Sequence, residues 1–430
     1  MEFTIFQLIS IALVGAIGSM LVNRGVAVFN DGLRPIMPEY LEGRITRKEL
    51  AATSFALSFG LIIGFGIPLS IGAVIIIAHS ILLACDIIGI WTPDSRKGMI
   101  ISGIVGAVYS IGVCLGLQFI VDLFNQLSIN FLDSLSLVGT PIIISFTVFP
   151  AVAVGYQHGI KKAMSTALIT FIAYLLFARF GSFTVASYDI TLSPEGMALL
   201  VGMLMMIYYA AKVKGEGGST NADLVNIFAE RVSKIRKNRW LLALMGGLIA
   251  LVSAQLILAV DAMPQALINE GKYTEGAIAT FARAIGFIPL VFSTAIVTGV
   301  YGLAGTTMVF VVGLIFRDIP ILAFVLGAVV MYAEVMLLSV VTKSMDKLPG
   351  VRDMGEHIRT SLADVLGMAI LIGSAMASEE IAPGIGFFWV MGFYLINRMA
   401  KKPLVELAVG PVAVVALGIL VNILNLVGLM

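Results

Sequence analysis

Apolar blocks of about 17 to 25 residues recur from one end of the chain to the other, the length that crosses a hydrocarbon core of ~30 Å as an α-helix. Seven lie near 4–22, 51–66, 68–91, 99–121, 139–157, 163–180 and 194–211. Seven more lie near 240–260, 277–293, 295–316, 319–341, 361–378, 384–398 and 404–428. The blocks are continuous rather than alternating. Backbone at membrane depth has no water to bond, so it must satisfy itself in helices or closed barrels, and continuous blocks specify helices. The predicted fold is an all-α polytopic membrane protein with about 12 to 14 membrane segments.

Composition agrees with that pattern. Of 430 residues 59% are apolar and 12% charged, against roughly 25% charged in a soluble domain, so lipid rather than water is the expected surrounding. The net charge of +1 lacks the basic surface that nucleic acid requires. Cys85 and Cys114 both fall inside apolar blocks, which argues against a disulfide framework or a metal site. The first block follows Met1 and Glu2 with no basic region or cleavage site, and it reads as a retained helix.

Charge also sets the threading, because Lys and Arg collect in short cytoplasmic loops. With the N-terminus outside, the inside loops are 23–50, 92–98, 158–162, 212–239, 343–360 and 398–402, and these hold 23 of the 27 Lys and Arg residues. The outside loop 261–276 is acidic, with Asp261, Glu270 and Glu275 against Lys272. The expectation is a multi-pass protein of a bacterial inner membrane with both termini periplasmic.

Two halves resemble each other. Glu42-Gly43-Arg44 matches Glu270-Gly271-Lys272, and Gly64-Phe65 with Ile67-Pro68-Leu69 matches Gly286-Phe287 with Ile288-Pro289-Leu290. Gly106-Ala107-Val108 and Gly327-Ala328-Val329 follow at the same spacing as the two prolines, and Lys161-Lys162 matches Lys401-Lys402. The organisation read from this is a first transmembrane repeat over 1–211, a cytoplasmic linker over 212–239 and a second repeat over 240–430. The linker is Gly-rich, then amphipathic through Val225, Phe228, Val232 and Ile235. An odd number of segments per half would invert the second repeat relative to the first, as in many secondary transporters.

Candidate chemistry is sparse. Pro68 and Pro289 each follow a Gly-Phe pair within a long apolar stretch. A proline removes a helix hydrogen bond and disfavours helix in the preceding residue, so both stretches are expected to break there. Broken or re-entrant helices at membrane depth point to a solute site. Gly64, Pro68, Gly286 and Pro289, with the hydroxyls of Ser54, Ser58, Ser293, Thr294 and Thr298, are the expected lining; the alternative is that the hydroxyls only satisfy freed backbone. The ionisable residues at depth are His79, Asp86, Arg283 and Glu334, each costing ~2.5 to 3.5 kcal/mol on insertion scales unless partnered. Arg283 reads either as a clamp for an anionic group or as the partner of Glu334 or Asp86 in an internal ion pair. Asp31 and Arg34, in the dense loop 23–50, read as a gate or as a solvated turn. No phosphate-binding loop, metal-ligand cluster or nucleophile elbow is present, so no resident cofactor or metal is expected and a coupling proton or sodium ion is.

The runs AVFNDGLRPIMPEYLEG (27–43) and FARAIGFIPLVFSTAIVTGVYGLAG (281–305) resemble signature stretches of the YhfT-like bacterial inner-membrane proteins, and the similarity extends over nearly the whole chain. The resemblance implies an inner-membrane location and transport of an unassigned substrate. It favours Asp31, Arg34, Arg283 and Glu334 as motif residues, whereas His79 matches no motif. The expected function is a secondary transporter, not an enzyme, carrying a small polar metabolite, an anion where Arg283 acts as the clamp, by alternating access in an elevator-type homodimer. The rivals are a phosphotransferase-type permease with a phosphorylating partner and a membrane enzyme using Asp31, Arg34 and Glu39 on a lipid-linked substrate.

Overall fold

The computed structural model describes residues 3–429 except 31–32, 42, 74, 132–133, 135–136, 186–187, 193, 214–220, 303–306, 346–348, 402 and 405. It is an almost wholly helical protein, and six helices are long and apolar enough to cross a membrane among the described residues. The expected all-α membrane architecture is therefore present.

The first half opens with α1 (Ile5–Asn23), started by a Thr4/Gln7 capping box. A 3₁₀ turn over Arg34–Ile36 and the short α2 (Met37–Leu41) follow. Next comes a long helix in three parts, α3 (Arg47–Leu61), a π-helical turn over Ile62–Gly66 and α4 (Ile67–Ala73). A two-residue strand β1 (Ile76–Ile77) leads into the short α5 (Ala78–Trp91) and the long α6 (Arg96–Phe124). Helices α7 (Gly139–His158), α8 (Ile160–Phe180) and α9 (Pro194–Ala211) complete the half. A hairpin of β2 (Ser182–Val185) and β3 (Tyr188–Thr191) joins the last two.

The linker contains a helix, α10 (Asn221–Lys237), whose apolar side buries Val232 and Ile235. The second half then runs through α11 (Arg239–Ala254), the strand β4 (Leu258–Ala259), α12 (Ala262–Asn269), α13 (Tyr273–Thr298), α14 (Thr307–Ile315) and α15 (Pro320–Met345). It ends with α16 (Pro349–Ile381), α17 (Gly386–Met399) and α18 (Glu406–Leu426).

The same contacts are made in each half. Helix α1 packs on α5 and α6, and α11 packs on α14 and α15, with α1 and α11 touching each other. Missing side chains permit the close approaches: a Cβ on Gly15 would lie 2.4 Å from the carbonyl oxygen of Gly106, and one on Gly246 would lie 3.0 Å from that of Gly327. Likewise a Cβ on Gly89 would strike the Val22 side chain and the Ser19 carbonyl, while one on Gly313 would strike the Ser253 side chain and the Ala250 carbonyl. Both first helices end in a left-handed residue, Gly25 at φ 60° and Leu256 at φ 56°, each followed by a residue whose N–H returns five positions into the helix, Val26 to Leu21 and Ile257 to Val252. Leu256 is the one non-glycine residue with positive φ among those described, and it adopts that conformation despite the steric cost of its Cβ.

One expectation is corrected. Neither long stretch breaks at its proline. α13 runs unbroken through Pro289, and Pro68 is the second residue of α4, which continues directly from the π-turn. The π-turn ahead of it takes up the distortion, with the Ile67 N–H returning to Ile62. Neighbouring helices keep a membrane helix intact across a proline. The chain instead reverses later, around Ile75–Ile77 and after Thr298.

Candidate functional site at two crossings of extended chain

Where the chain leaves helix, each half pairs with the other. Ala27 forms a parallel bridge with Tyr301: the Val28 N–H donates to the Tyr301 carbonyl at 2.7 Å, and the Tyr301 N–H donates to Val26 at 2.9 Å. Strand β1 pairs in parallel with β4, Ile76 against Leu258 and Ile77 against Ala259. Extended segments of this kind expose backbone groups that need partners when buried, and the side chains around them supply those partners.

At the first crossing Asp86, fully buried on α5, accepts the Phe29 N–H at 2.9 Å and the Asn30 N–H at 2.7 Å, one on each carboxylate oxygen. The Asn30 amide donates to the Ser58 hydroxyl on α3 at 3.2 Å. Across the same crossing the Tyr301 hydroxyl donates to Glu334 on α15 at 2.5 Å. The guanidinium of Arg34 lies flat against Gly302, where a Cβ would fall 2.0 Å from its central carbon. Thr298 is buried three residues before Tyr301. Ser54, one turn before Ser58, is wholly buried and its hydroxyl has no partner among the described residues.

At the second crossing Arg283 is the centre. Its Nε pairs with Asp261 and its Nη1 donates to the Thr307 hydroxyl at 2.8 Å. Asp261 also accepts the Met263 N–H at 3.1 Å, capping α12. The Gln265 amide spans the reversal of the first half, donating to the carbonyls of Leu69 at 3.2 Å and Ile75 at 2.5 Å. The Ser70 hydroxyl takes the Ile77 N–H at 2.9 Å. His79 packs edge-on against Phe65, ring centroids 4.8 Å apart, and its Nδ1 has no partner among the described residues.

The structure thus gathers Ser58, Thr298, Arg34, Asp86 and Glu334 at one crossing and places Arg283 at the other. Pro68 is buried within the helix rather than at a chain break. Asp31 lies outside the described residues, and so do the side chains of Gly64, Gly286, Pro289, Ser293 and Thr294. Arg34 is buried, which overturns its reading as part of a solvated turn. Glu334 is held by the Tyr301 hydroxyl, Asp86 by the Phe29 and Asn30 amides, and Arg283 pairs with Asp261. Sequence reasoning placed Asp261 in an exposed loop, although its position just ahead of α12 is a helix-cap signal. Asn30 and Gln265 were also missed. Cys85 and Cys114 are free and buried, and no cluster of three or more His, Cys, Asp or Glu suited to a metal occurs among the described residues.

The YhfT family model, described as a protein of unknown function, matches residues 7–430. Among curated proteins, the uncharacterized protein YhfT of Escherichia coli (strain K12) is 32% identical over 443 residues, covering 98% of this chain and 98% of its own. No solved structure matches.

Proposed function

The chain belongs to the YhfT family, and on that premise we propose that it is a secondary transporter moving a small polar solute across a bacterial inner membrane by alternating access. The observation that carries this reading is the pair of crossings. Extended backbone and buried ionisable groups among apolar helices are costly in lipid and are expected where a site is built.

The repeated contacts support an inverted repeat as the framework. Gly15, Ser19, Val22 and Gly25 correspond to Gly246, Ala250, Ser253 and Leu256 at one constant separation in sequence. An exchange of extended segments between halves follows naturally from a two-fold axis lying in the membrane plane. With the cytoplasmic linker between the repeats, both termini are periplasmic. The helices also sort into two sets: α1, α5, α6, α11, α14 and α15 pack together, and α7–α9 pack with α16–α18. Relative movement of two such bodies in an elevator-type homodimer is the cycle proposed, powered by a coupling ion.

Asp261 neutralises Arg283 locally, so the geometry favours a polar solute without demanding an anion. Ser54, Ser58 and Thr298 are the hydroxyls offered to it. The membrane-enzyme reading loses support because Arg34, one of its three catalytic candidates, is buried against Gly302 rather than presented at a surface.

The test is a thermal-shift screen of the purified protein against small polar metabolites, repeated with Ser58→Ala and Thr298→Ala. A ligand at a hundred times its dissociation constant stabilises the folded state by about 2.7 kcal/mol. The shift is expected in the parent protein and strongly reduced in both variants. A shift that survives in both would move the solute away from the first crossing.

A further inference from the structure

Of the acidic groups at the two crossings, the one least explained by holding the backbone together is the half-buried Glu334. Asp86 fixes two amides, Asp261 caps a helix and holds Arg283, but Glu334 receives the hydroxyl of Tyr301, a neutral donor. Tyr301 is itself the residue through which the first crossing is made, its backbone bonded on both sides to Val26 and Val28 of the other half. We propose that Glu334 and Tyr301 form the proton site that couples transport to the proton gradient, a step that rests on the transport reading above.

The surroundings select a proton over a metal cation. Tyr301 offers Glu334 a donor hydrogen, and a sodium ion would have to displace it. Cationic side chains border the Tyr301 segment. Arg34 lies against Gly302, next to Tyr301, and interacts electrostatically with it, while the Arg231 side chain of α10 lies against Gly299 at 3.0 Å from a Cβ placed there. Of the other elements packed on α15, α11 carries Arg239 at its start and α14 has no titratable residue. On α13 Tyr273 and Glu275 sit at the far end, and Arg283 is engaged by Asp261 and Thr307. α16 carries Arg352, Asp353, Glu356, His357, Arg359, Asp364, Glu379 and Glu380, with Asp364 accepting the Tyr156 hydroxyl. On α15 itself Tyr332 stacks beside Trp240, and Lys343 lies near the C-terminal end.

The coupling follows from hydrogen-bond chemistry. A phenol donating to a carboxylate makes a charge-assisted bond, roughly twice as strong as one to a neutral acceptor. A proton taken from water on one side by Glu334 weakens that bond and loosens Tyr301, hence the strand joining the halves; its release to water on the other side restores both. The carboxylate is thus the ion site and the crossing is the element it biases.

The protein itself supplies the probe. Infrared difference spectra of the purified protein, collected over a pH series, should contain a protonated-carboxyl band that titrates and is absent from Glu334→Gln. Tyr301→Phe should shift the band without removing it. Hydrogen–deuterium exchange over Val26–Asn30, corrected for intrinsic rates, should rise several-fold in the parent as the band grows, and in Glu334→Gln should be high at every pH. A band that persists in Glu334→Gln, one unmoved in Tyr301→Phe, or exchange that ignores both pH and the substitution would overturn the proposal. If Glu334→Gln does not fold, Glu334→Asp must shift the band, and an unshifted band carries the same contradiction. Failure of the transport reading would show elsewhere, as the absence of any solute-induced thermal shift, and would leave the infrared band untouched.

Discussion

Asp261→Ala should cost the protein about 3 to 5 kcal/mol of stability, the loss typical of breaking a buried ion pair from one side. Asp261 and Arg283 are both almost fully enclosed, so the substitution strips the carboxylate from a guanidinium that stays in the interior, where it donates to the Thr307 hydroxyl. It also uncaps α12, where the Asp261 carboxylate accepts the Met263 N–H, a further loss of ~1 kcal/mol. Against a total stability of roughly 5 to 15 kcal/mol, that is a large fraction of the whole. Arg283→Ala should cost somewhat less, because the cap survives. The double variant Asp261→Asn with Arg283→Met should recover most of the loss, since no charge is then stranded. Thermal unfolding of the four proteins in one detergent checks this ordering; a double variant no better than the worse single variant would mean that the pair is not what holds the second crossing.

At the first crossing the largest effect is expected from Asp86→Ala. The carboxylate takes one N–H on each oxygen, from Phe29 and Asn30, and each amide left without a partner costs about 1 to 3 kcal/mol when buried. Asp86→Asn retains a single acceptor oxygen and should fall between the parent and the alanine variant. Because the two amides belong to the segment that pairs with Tyr301, the alanine variant should also show exchange of the Val26–Asn30 amides raised well beyond its global destabilisation. Uniform exchange across the chain would instead mean that Asp86 contributes to general packing only.

Much of the architecture is legible in the sequence because lipid imposes a simple rule. Uninterrupted apolar blocks must be helices, and α1, α6, α9 and α15 fall where the blocks are. The reversals are harder to see. Proline and glycine at Gly64–Pro68 and Gly286–Pro289 are the visible breakers, yet helix persists through them, while the first reversal runs through Ile75, Ile76 and Ile77, residues with no turn signature at all. Those isoleucines leave helix because β1 finds β4 from the far half of the chain, a pairing that no local pattern encodes. Residues of the site were recognised by type: Asp86, Arg283 and Glu334 stand out because charge in an apolar block is rare. Their partners do not stand out. Asp261 sits beside a loop that looks polar, and Asn30 and Gln265 act through contacts with Ser58, Leu69 and Ile75 that are distant in sequence.

Alternating exposure of the first crossing is the central requirement of a transporter. It is read most directly by a single cysteine at Thr298, introduced with Cys85 and Cys114 replaced by alanine and challenged with a membrane-impermeant maleimide in right-side-out and inverted membrane vesicles. Thr298 is buried in this conformation, so labelling requires movement. Transport by alternating access requires slow labelling in both vesicle orientations, slowed further by any solute that raises thermal stability. Labelling from one side only, or from neither, would contradict it and leave the crossings as the frame of a static membrane protein.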